Sequence, residues 1–192
     1  MKIFTLLIVA LSSLVAAPAS LAQLPTPHST LANTCSGCHG TFGYSSVAMP
    51  RIAGLDVDYL KRVMREFRTG KRSSTVMGRL ARGYSDEEID SMAAFFASQL
   101  WVSPEQQVQP PLVERGRKIH EQRCSMCHQN DGRHQDATVP RIAGQWREYL
   151  QTVLEEYHQP ERRMPHKFMG ILARQLLPGE INALSHFYAS KR

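Results

Sequence analysis

Apolar residues recur at helical spacing along this chain, and no convincing stretch alternates apolar and polar residues as a half-buried strand does. Asp56 is a good N-cap for a helix that ends before Gly70. The inner face of this helix is formed by Leu60, Val63, Met64 and Phe67. A later helix begins at Ser85, because Glu88 three residues on completes a capping box. The pattern therefore predicts an all-α fold.

The same pattern occurs twice. Residues 50–54, Pro-Arg-Ile-Ala-Gly, recur at 140–144, and Met77-Gly78 recurs as Met169-Gly170. The inner faces of the last helix in each half correspond one for one, as Ile89, Met92, Ala93 and Phe96 match Ile181, Leu184, Ser185 and Tyr188. The offset between the copies grows only from 89 to 92 residues, which small loop insertions explain. We therefore expect two tandem domains of one kind rather than a solenoid.

The N-terminal residues have the composition of an export signal. Residues 1–22 contain a single positive residue, Lys2, then an apolar run, with Ser20 and Ala22 at the positions that a signal peptidase reads. An uncleaved anchor is the alternative, but the apolar run is interrupted and shorter than the ~20 residues of a membrane span. We expect an exported, soluble, periplasmic protein with a first domain over 23–103, a Pro- and Gln-rich linker over 104–111 and a second domain over 112–192.

Each half contains one Cys-x-x-Cys-His motif, a pattern typical of covalent haem attachment. The motifs are formed by Cys35, Cys38 and His39 and by Cys124, Cys127 and His128. Two thiols one helical turn apart can each form a thioether to one vinyl group of a porphyrin, and the following His then lies under the iron as its proximal ligand. The sequence therefore predicts two covalently bound haem c groups, which use every Cys of the chain.

Four Cys residues have two other common uses. They could form two disulfides, or two Cys-x-x-Cys pairs could share a zinc ion. Neither explains why a His follows the second Cys both times. The 85 residues between Cys38 and Cys124 also exceed the usual spacing of zinc ligands.

A methionine in each half is the candidate for the other axial position of the iron. A thioether ligand favours ferrous iron and closes the site, which is typical of electron transfer rather than of peroxide or gas chemistry. Met77 is the candidate in the first half. In the second half Met169 matches it, because each lies twelve residues before the first apolar residue of the last helix. Met164 is the rival, and His166 would be a third option.

The remaining chemistry is sparse. The net charge of +6 arises from basic residues interleaved with acidic ones, which does not favour nucleic acid as a partner. Arg51 and Arg141 occupy equivalent positions and could either pair with haem propionates or lie at surface turns. No Ser-His-Asp set, phosphate loop or hydrolytic carboxylate pair is evident, so we expect no catalytic site in this chain itself.

These motifs resemble the di-haem class I cytochromes c, and most closely the haem subunits of flavocytochrome c sulfide dehydrogenases. Residues 74–85, Ser-Thr-Val-Met-Gly-Arg-Leu-Ala-Arg-Gly-Tyr-Ser, are similar to the first axial-methionine segment of those subunits, and residues 143–151 are similar to part of their second half. The likeness covers nearly the whole mature chain. The segment around Met164 departs from the family pattern, in which Pro precedes Met, so the second axial ligand stays open there.

The resemblance implies a function and a partner. In such proteins the cytochrome forms a heterodimer with a flavoprotein that carries FAD and oxidises sulfide, and it passes electrons to a soluble cytochrome c. FAD is expected on that partner only. The alternatives are a free di-haem carrier of the c-four group that donates to a terminal oxidase, and a haem enzyme with one open iron site.

Overall fold

A computed structural model describes residues 27–192, and these residues form helices joined by turns and loops, with no strand among them. The helices of the first half are α1 (Pro27–Asn33), α2 (Ser36–His39), α3 (Val57–Arg68), α4 (Met77–Ala81) and α5 (Asp86–Ala97). Those of the second half are α6 (Pro110–Ile119), α7 (Gln129–Gly132), α8 (Arg147–Glu156), α9 (Lys167–Ala173) and α10 (Pro178–Ala189). The all-α prediction is confirmed. The predicted signal peptide lies outside the described residues.

The two capped helices form where their local signals predict them. Helix α3 follows Asp56, whose carboxylate accepts hydrogen bonds from the backbone N–H groups of Asp58 at 3.0 Å and Tyr59 at 2.9 Å. Helix α5 follows a complete capping box, in which Ser85 and Glu88 each accept a hydrogen bond from the other's backbone N–H. Both ends are satisfied by nearby residues, which is why the sequence alone locates them.

The helices that lead into the two haem motifs differ from the prediction. The sequence predicts one helix over 27–38 and another over 111–127, whereas α1 ends at Asn33 and α6 ends at Ile119. In the first half a turn separates α1 from α2, and the Thr34 hydroxyl donates to the Leu31 carbonyl at 2.7 Å. In the second half α6 continues as a π-helical turn, His120–Cys124. Such turns occur frequently at functional sites.

Each half has a hydrophobic cluster of its own. In the first half α5 packs on α1 and α3, and Ile89, Met92, Ala93 and Phe96 are buried as predicted. In the second half α10 packs on α6 and α8, and Ile181, Leu184, Ser185 and Tyr188 are buried as predicted. Among the described residues no helix is long and apolar enough to cross a membrane.

Hydrogen bonds from two glutamines of the second half join it to the first. The Gln145 side chain accepts from the backbone N–H of Arg51 and donates to the Arg51 carbonyl, each at 3.0 Å. The Gln135 side chain accepts from the backbone N–H of Asp56 at 3.0 Å and donates to the Gly54 carbonyl at 2.9 Å. Each glutamine side chain therefore accepts one hydrogen bond from the backbone of the first half and donates one to it. These four bonds fix the relative placement of the halves.

Candidate haem-attachment sites

The first Cys-x-x-Cys-His motif forms a single helical turn. The backbone N–H groups of Cys38 and His39 donate to the Cys35 carbonyl at 3.2 and 2.9 Å. Cys35 is half-buried, and Cys38 is exposed. The Nδ1 atom of His39 lies 2.8 Å from the carbonyl oxygen of Pro50. With Nδ1–H donating to that oxygen, the Nε2 lone pair stays free for a metal, and burial lowers the pKa of His39 so that the imidazole is neutral.

The second motif repeats that turn. The backbone N–H groups of Cys127 and His128 donate to the Cys124 carbonyl at 3.3 and 2.9 Å. Burial lowers the pKa of His128 to about 4, so this imidazole is also neutral. Its Nδ1 atom is buried and has no hydrogen-bond partner among the described residues, unlike the Nδ1 atom of His39. The two candidate proximal ligands therefore differ in how the protein holds them.

The Cys and His residues of each motif fit a covalently bound haem, and they form neither disulfides nor a shared zinc site. No disulfide joins any two of the four Cys residues, all of which lie within residues 27–192. Residues 27–192 contain no group of three or more His, Cys, Asp or Glu side chains that could hold a metal ion, so the two Cys-x-x-Cys pairs do not combine into a zinc site. Two thiols and one neutral imidazole on a single turn match the vinyl groups and the iron of one haem c. When bound, that group supplies a one-electron couple.

The candidate distal methionines occupy matching short helices. Met77 is the first residue of α4, and Met169 is the third residue of α9; both are half-buried. Met164 is also half-buried, and it packs with Met169 against the second hydrophobic cluster. The geometry thus leaves both methionines near the second core, and the repeat still favours Met169. His166, which immediately precedes α9, is half-buried as well.

Arg51 and Arg141, which the sequence allows either to pair with haem propionates or to lie at surface turns, each contact a tryptophan of the opposite half. The guanidinium of Arg51 lies 5.8 Å from the ring centroid of Trp146, and that of Arg141 lies 5.2 Å from the ring centroid of Trp101. Arg51 also donates to the carbonyl oxygens of Ser45 and Val102. The indole N–H of Trp146 donates to the Ser45 hydroxyl at 3.0 Å. Both arginines therefore help to join the halves, by equivalent contacts in opposite directions.

A buried ionic cluster on α3 was not expected from the sequence. Glu66 is only 9% exposed, and its carboxylate pairs with Arg62 and with Arg72. Arg62 also donates to the carbonyl of Ala137 at 2.9 Å and lies over the Tyr59 ring. Glu66 follows Met64 on a face that the apolar period does not include, so no local signal identifies it. Burial raises the pKa of Tyr59 and of its counterpart Tyr149, which both lie near Arg72.

Fold and site together define a class of protein: two successive helical units, each with one helical turn that offers two thiols and an imidazole to a haem. The family model for cytochrome c matches residues 113–190. A thiosulfate dehydrogenase electron acceptor from Stutzerimonas stutzeri is 33% identical over 173 residues, which cover 83% of this chain and 79% of that protein. Cytochrome c4 from Pseudomonas aeruginosa is 31% identical and covers 81% of this chain and 83% of its own length. The chain belongs to the cytochrome c family.

A shorter match has the higher identity. The cytochrome subunit of sulfide dehydrogenase from Chlorobaculum tepidum is 46% identical over 68 residues, which cover 35% of this chain and 62% of that protein. The solved structure of cytochrome c4 from Pseudomonas stutzeri has a TM-score of 0.77 at 24% identity and covers 86% of this chain and 97% of that chain. That similarity confirms the prediction of two tandem class I cytochrome c domains. The chain is thus a di-haem electron-transfer cytochrome.

Proposed function

We propose that Cys35 and Cys38 hold one haem c and Cys124 and Cys127 the other, with His39 and His128 as proximal ligands and Met77 and Met169 as distal ligands. The observation that supports this assignment is the helical turn that recurs in both halves. In each turn the backbone N–H of the His donates to the carbonyl oxygen of the first Cys at 2.9 Å. A neutral His and a thioether keep the same ligands in both oxidation states, so little structure has to reorganise when an electron moves. No residue of the chain is assigned a bond-making or bond-breaking role.

Substitution of the candidate methionines tests the distal assignment. Met77→Ala and Met169→Ala should each convert one of the two haems to a high-spin spectrum, whereas Met164→Ala should leave both haems low-spin. The pyridine haemochrome should give two covalent haems per chain in all three variants. A high-spin haem in Met164→Ala with a low-spin pair in Met169→Ala would transfer the role to Met164.

We propose further that the chain receives electrons from a dehydrogenase that oxidises a reduced inorganic sulfur compound. A flavoprotein subunit with FAD, acting on sulfide and forming a heterodimer with this chain, is the first candidate. The 46% identity with a cytochrome subunit of sulfide dehydrogenase supports it, although that match covers 35% of this chain. A soluble cytochrome c would then take the electrons onward.

Isolation of the complex tests this partner. The protein purified from its source should carry about one flavin for every two haems, and sulfide should reduce both haems only while the flavoprotein is present. A cytochrome that purifies without flavin and is not reduced by sulfide plus the flavoprotein would contradict the proposal.

A second candidate is an electron acceptor for a thiosulfate dehydrogenase. The 33% identity with such an acceptor extends over 83% of this chain, which is a longer match than the sulfide dehydrogenase subunit gives. A solved thiosulfate dehydrogenase from Marichromatium purpuratum also has a TM-score of 0.73 at 26% identity, over 86% of this chain and 40% of that one. Haem reduction by thiosulfate plus its dehydrogenase, without flavin, would favour this function.

The similarity to cytochrome c4 supports a free carrier as the remaining alternative. That protein would purify alone and donate electrons to a terminal oxidase. For each of these functions we propose export to the periplasm with cleavage after Ala22. N-terminal sequencing of the mature haem protein should begin at Gln23, and retention of residues 1–22 would contradict cleavage.

A further inference from the structure

The two halves differ at two positions that the repeat makes equivalent. The residue four before the first motif Cys is Leu31 in the first half and His120 in the second. The inner-face residue near the end of the last helix is Phe96 in the first half and Tyr188 in the second. His120 and Tyr188 are each only 3% exposed. An apolar pair in one half thus becomes a buried polar pair in the other.

The polar pair forms a defined contact beside the second motif. The Tyr188 hydroxyl lies 2.9 Å from Nδ1 of His120, and the two rings meet edge to face with centroids 5.5 Å apart. Cys124 packs against the cluster that includes Tyr188. Burial raises the pKa of the Cys124 thiol, and the nearby Tyr188 hydroxyl acts on that pKa in the opposite direction. In the first half the Thr34 hydroxyl, which is exposed, lies 3.8 Å from the Cys35 sulfur.

The protonation states follow from burial and charge. Burial lowers the pKa of His120, so its imidazole is neutral at pH 7. Asp131 lies 3.9 Å from Nε2 of His120 but is closer to Lys191, at 3.1 Å. A thioether sulfur has no proton and can only accept. With Nδ1–H of His120 donating to the Tyr188 oxygen, the Tyr188 proton is free to point at that sulfur.

We infer that Tyr188 is a positioning residue for the second haem, oriented by His120 to donate a hydrogen bond to the Cys124 thioether. The inference rests on the proposed haem attachment. A donor at this sulfur withdraws electron density from the group joined to it, and a buried hydrogen bond is stronger than an exposed one. The ferrous state of the second haem gains more from that withdrawal than the ferric state. The pair therefore raises the reduction potential of the second haem and leaves that of the first unchanged.

Tyr188→Phe tests this inference, because it removes the hydroxyl, keeps the ring and restores the residue type of the first half. Spectroelectrochemical titration of the holoprotein, with each haem assigned by its NMR-shifted methyl signals, should show the reduction equilibrium constant of the second haem fall about fivefold, the effect of one ordinary hydrogen bond. The first haem should not change. His120→Leu should shift the second haem in the same direction by a smaller factor.

Tyr157→Phe is the matched control, because Tyr157 is buried in the same cluster and Cys124 is not among its electrostatic neighbours. It should leave both potentials unchanged. An NMR measurement on the reduced wild type does not depend on variant folding. It should show a slowly exchanging Tyr188 hydroxyl proton with a nuclear Overhauser effect to the Cys124 β-protons.

The outcomes separate this inference from the proposed function. Two covalent haems in the wild type with an unchanged second potential in Tyr188→Phe would overturn the role of Tyr188 and leave the haem sites intact. A wild type without covalent haem would overturn both. A shift of equal size in Tyr157→Phe, or a rapidly exchanging Tyr188 hydroxyl proton, would also count against the inference.

Discussion

Gln145 shows how much of the contact between the halves depends on single polar side chains. It is 3% exposed, and its amide makes both of its interdomain hydrogen bonds to the backbone of Arg51. The equivalent residue after the first Pro-Arg-Ile-Ala-Gly segment is Leu55, which lies in the first hydrophobic cluster. One copy of the repeat thus uses this position for its own core, and the other uses it to bind its neighbour.

We expect Gln145→Ala to lower the free energy of unfolding of the holoprotein by about 1–3 kcal/mol, because the part-buried backbone groups of Arg51 lose their partners. Urea denaturation followed by circular dichroism measures this. Gln122→Ala, at an exposed position of the π-helical turn, is the control and should stay within about 0.5 kcal/mol of the wild type. Equal effects of the two substitutions would show that Gln145 does not join the halves.

Asp136 makes the stability of the loop over 136–139 depend on pH. Its carboxylate accepts from the backbone N–H groups of Val139 and Thr138 at 2.8 and 2.7 Å, and these bonds hold its pKa below the ordinary value. The folded pKa lies below the unfolded one, so the stabilisation is complete above that unfolded pKa, about 4, and is lost as the pH falls further. This loop also presents the Ala137 carbonyl to Arg62.

Asp136→Asn should therefore be less stable than the wild type at pH 7, and the difference should narrow progressively below about pH 4. Urea denaturation at a series of pH values measures both curves. Glu161→Gln, which removes a charge from an exposed side chain outside this loop, should follow the wild type throughout. A difference that is constant with pH would contradict the assignment of the stabilisation to the ionised carboxylate.

The crossing of α6 and α10 is set by one small residue. A Cβ atom built on Gly116 would lie 2.2 Å from the Ala183 carbonyl oxygen and 2.6 Å from Cβ of Phe187, both on α10. The helix backbones therefore approach each other at a distance that no larger side chain permits. Cys124 packs against the cluster that these two helices enclose, so the crossing also supports the second motif.

Gly116→Ala should separate the two helices and destabilise the second half by at least about 1–3 kcal/mol, the usual cost of overpacking. Thermal unfolding of the holoprotein monitored by calorimetry measures the loss. Gly179→Ala is the matched control on α10, because its Cβ would meet only the end of the flexible Arg115 side chain at 3.6 Å. An unchanged transition in Gly116→Ala would show that the helices can move apart at no cost.

Local signals explain which elements could be predicted from the sequence. Helices α3 and α5 begin where their caps lie, because a cap is a contact between residues two or three positions apart. The helices before the motifs were predicted too long, because nothing in an apolar period marks the turn at Thr34 or the π-helical turn at His120. The short helices at Met77 and Met169 were not predicted at all, since they are too brief to show a period.

The same reasoning separates the predictable part of the site from the rest. The Cys-x-x-Cys-His turn is local covalent chemistry, so its residues could be named from spacing alone. The pairing of Gln145 with Arg51 spans 94 residues, and that of His120 with Tyr188 spans 68. No local pattern reports such contacts. The choice of Met169 over Met164 stays a prediction.

At the scale of the whole molecule, the halves have separate apolar clusters and a largely polar junction. The junction combines the two glutamine pairings with the reciprocal stacking of Arg51 on Trp146 and Arg141 on Trp101. Each half is small enough to be marginally stable alone. Their contact therefore stabilises both, and it also fixes the separation of the two proposed haems, on which transfer of an electron between them depends.

We expect the holoprotein to unfold in one transition, with equal calorimetric and van't Hoff enthalpies. Unfolding of one half would remove the contacts that stabilise the other, so the two halves should unfold together. The double variant Gln135→Ala/Gln145→Ala removes both glutamine pairings and should split the transition into two. Gln122→Ala/Gln175→Ala, at two exposed positions, is the control and should keep one. Two transitions in the wild type would mean that the polar contacts do not couple the halves. A single unshifted transition in the Gln135/Gln145 variant would assign the coupling to the other contacts between the halves, which include the arginine–tryptophan stacks and the Arg62–Ala137 hydrogen bond.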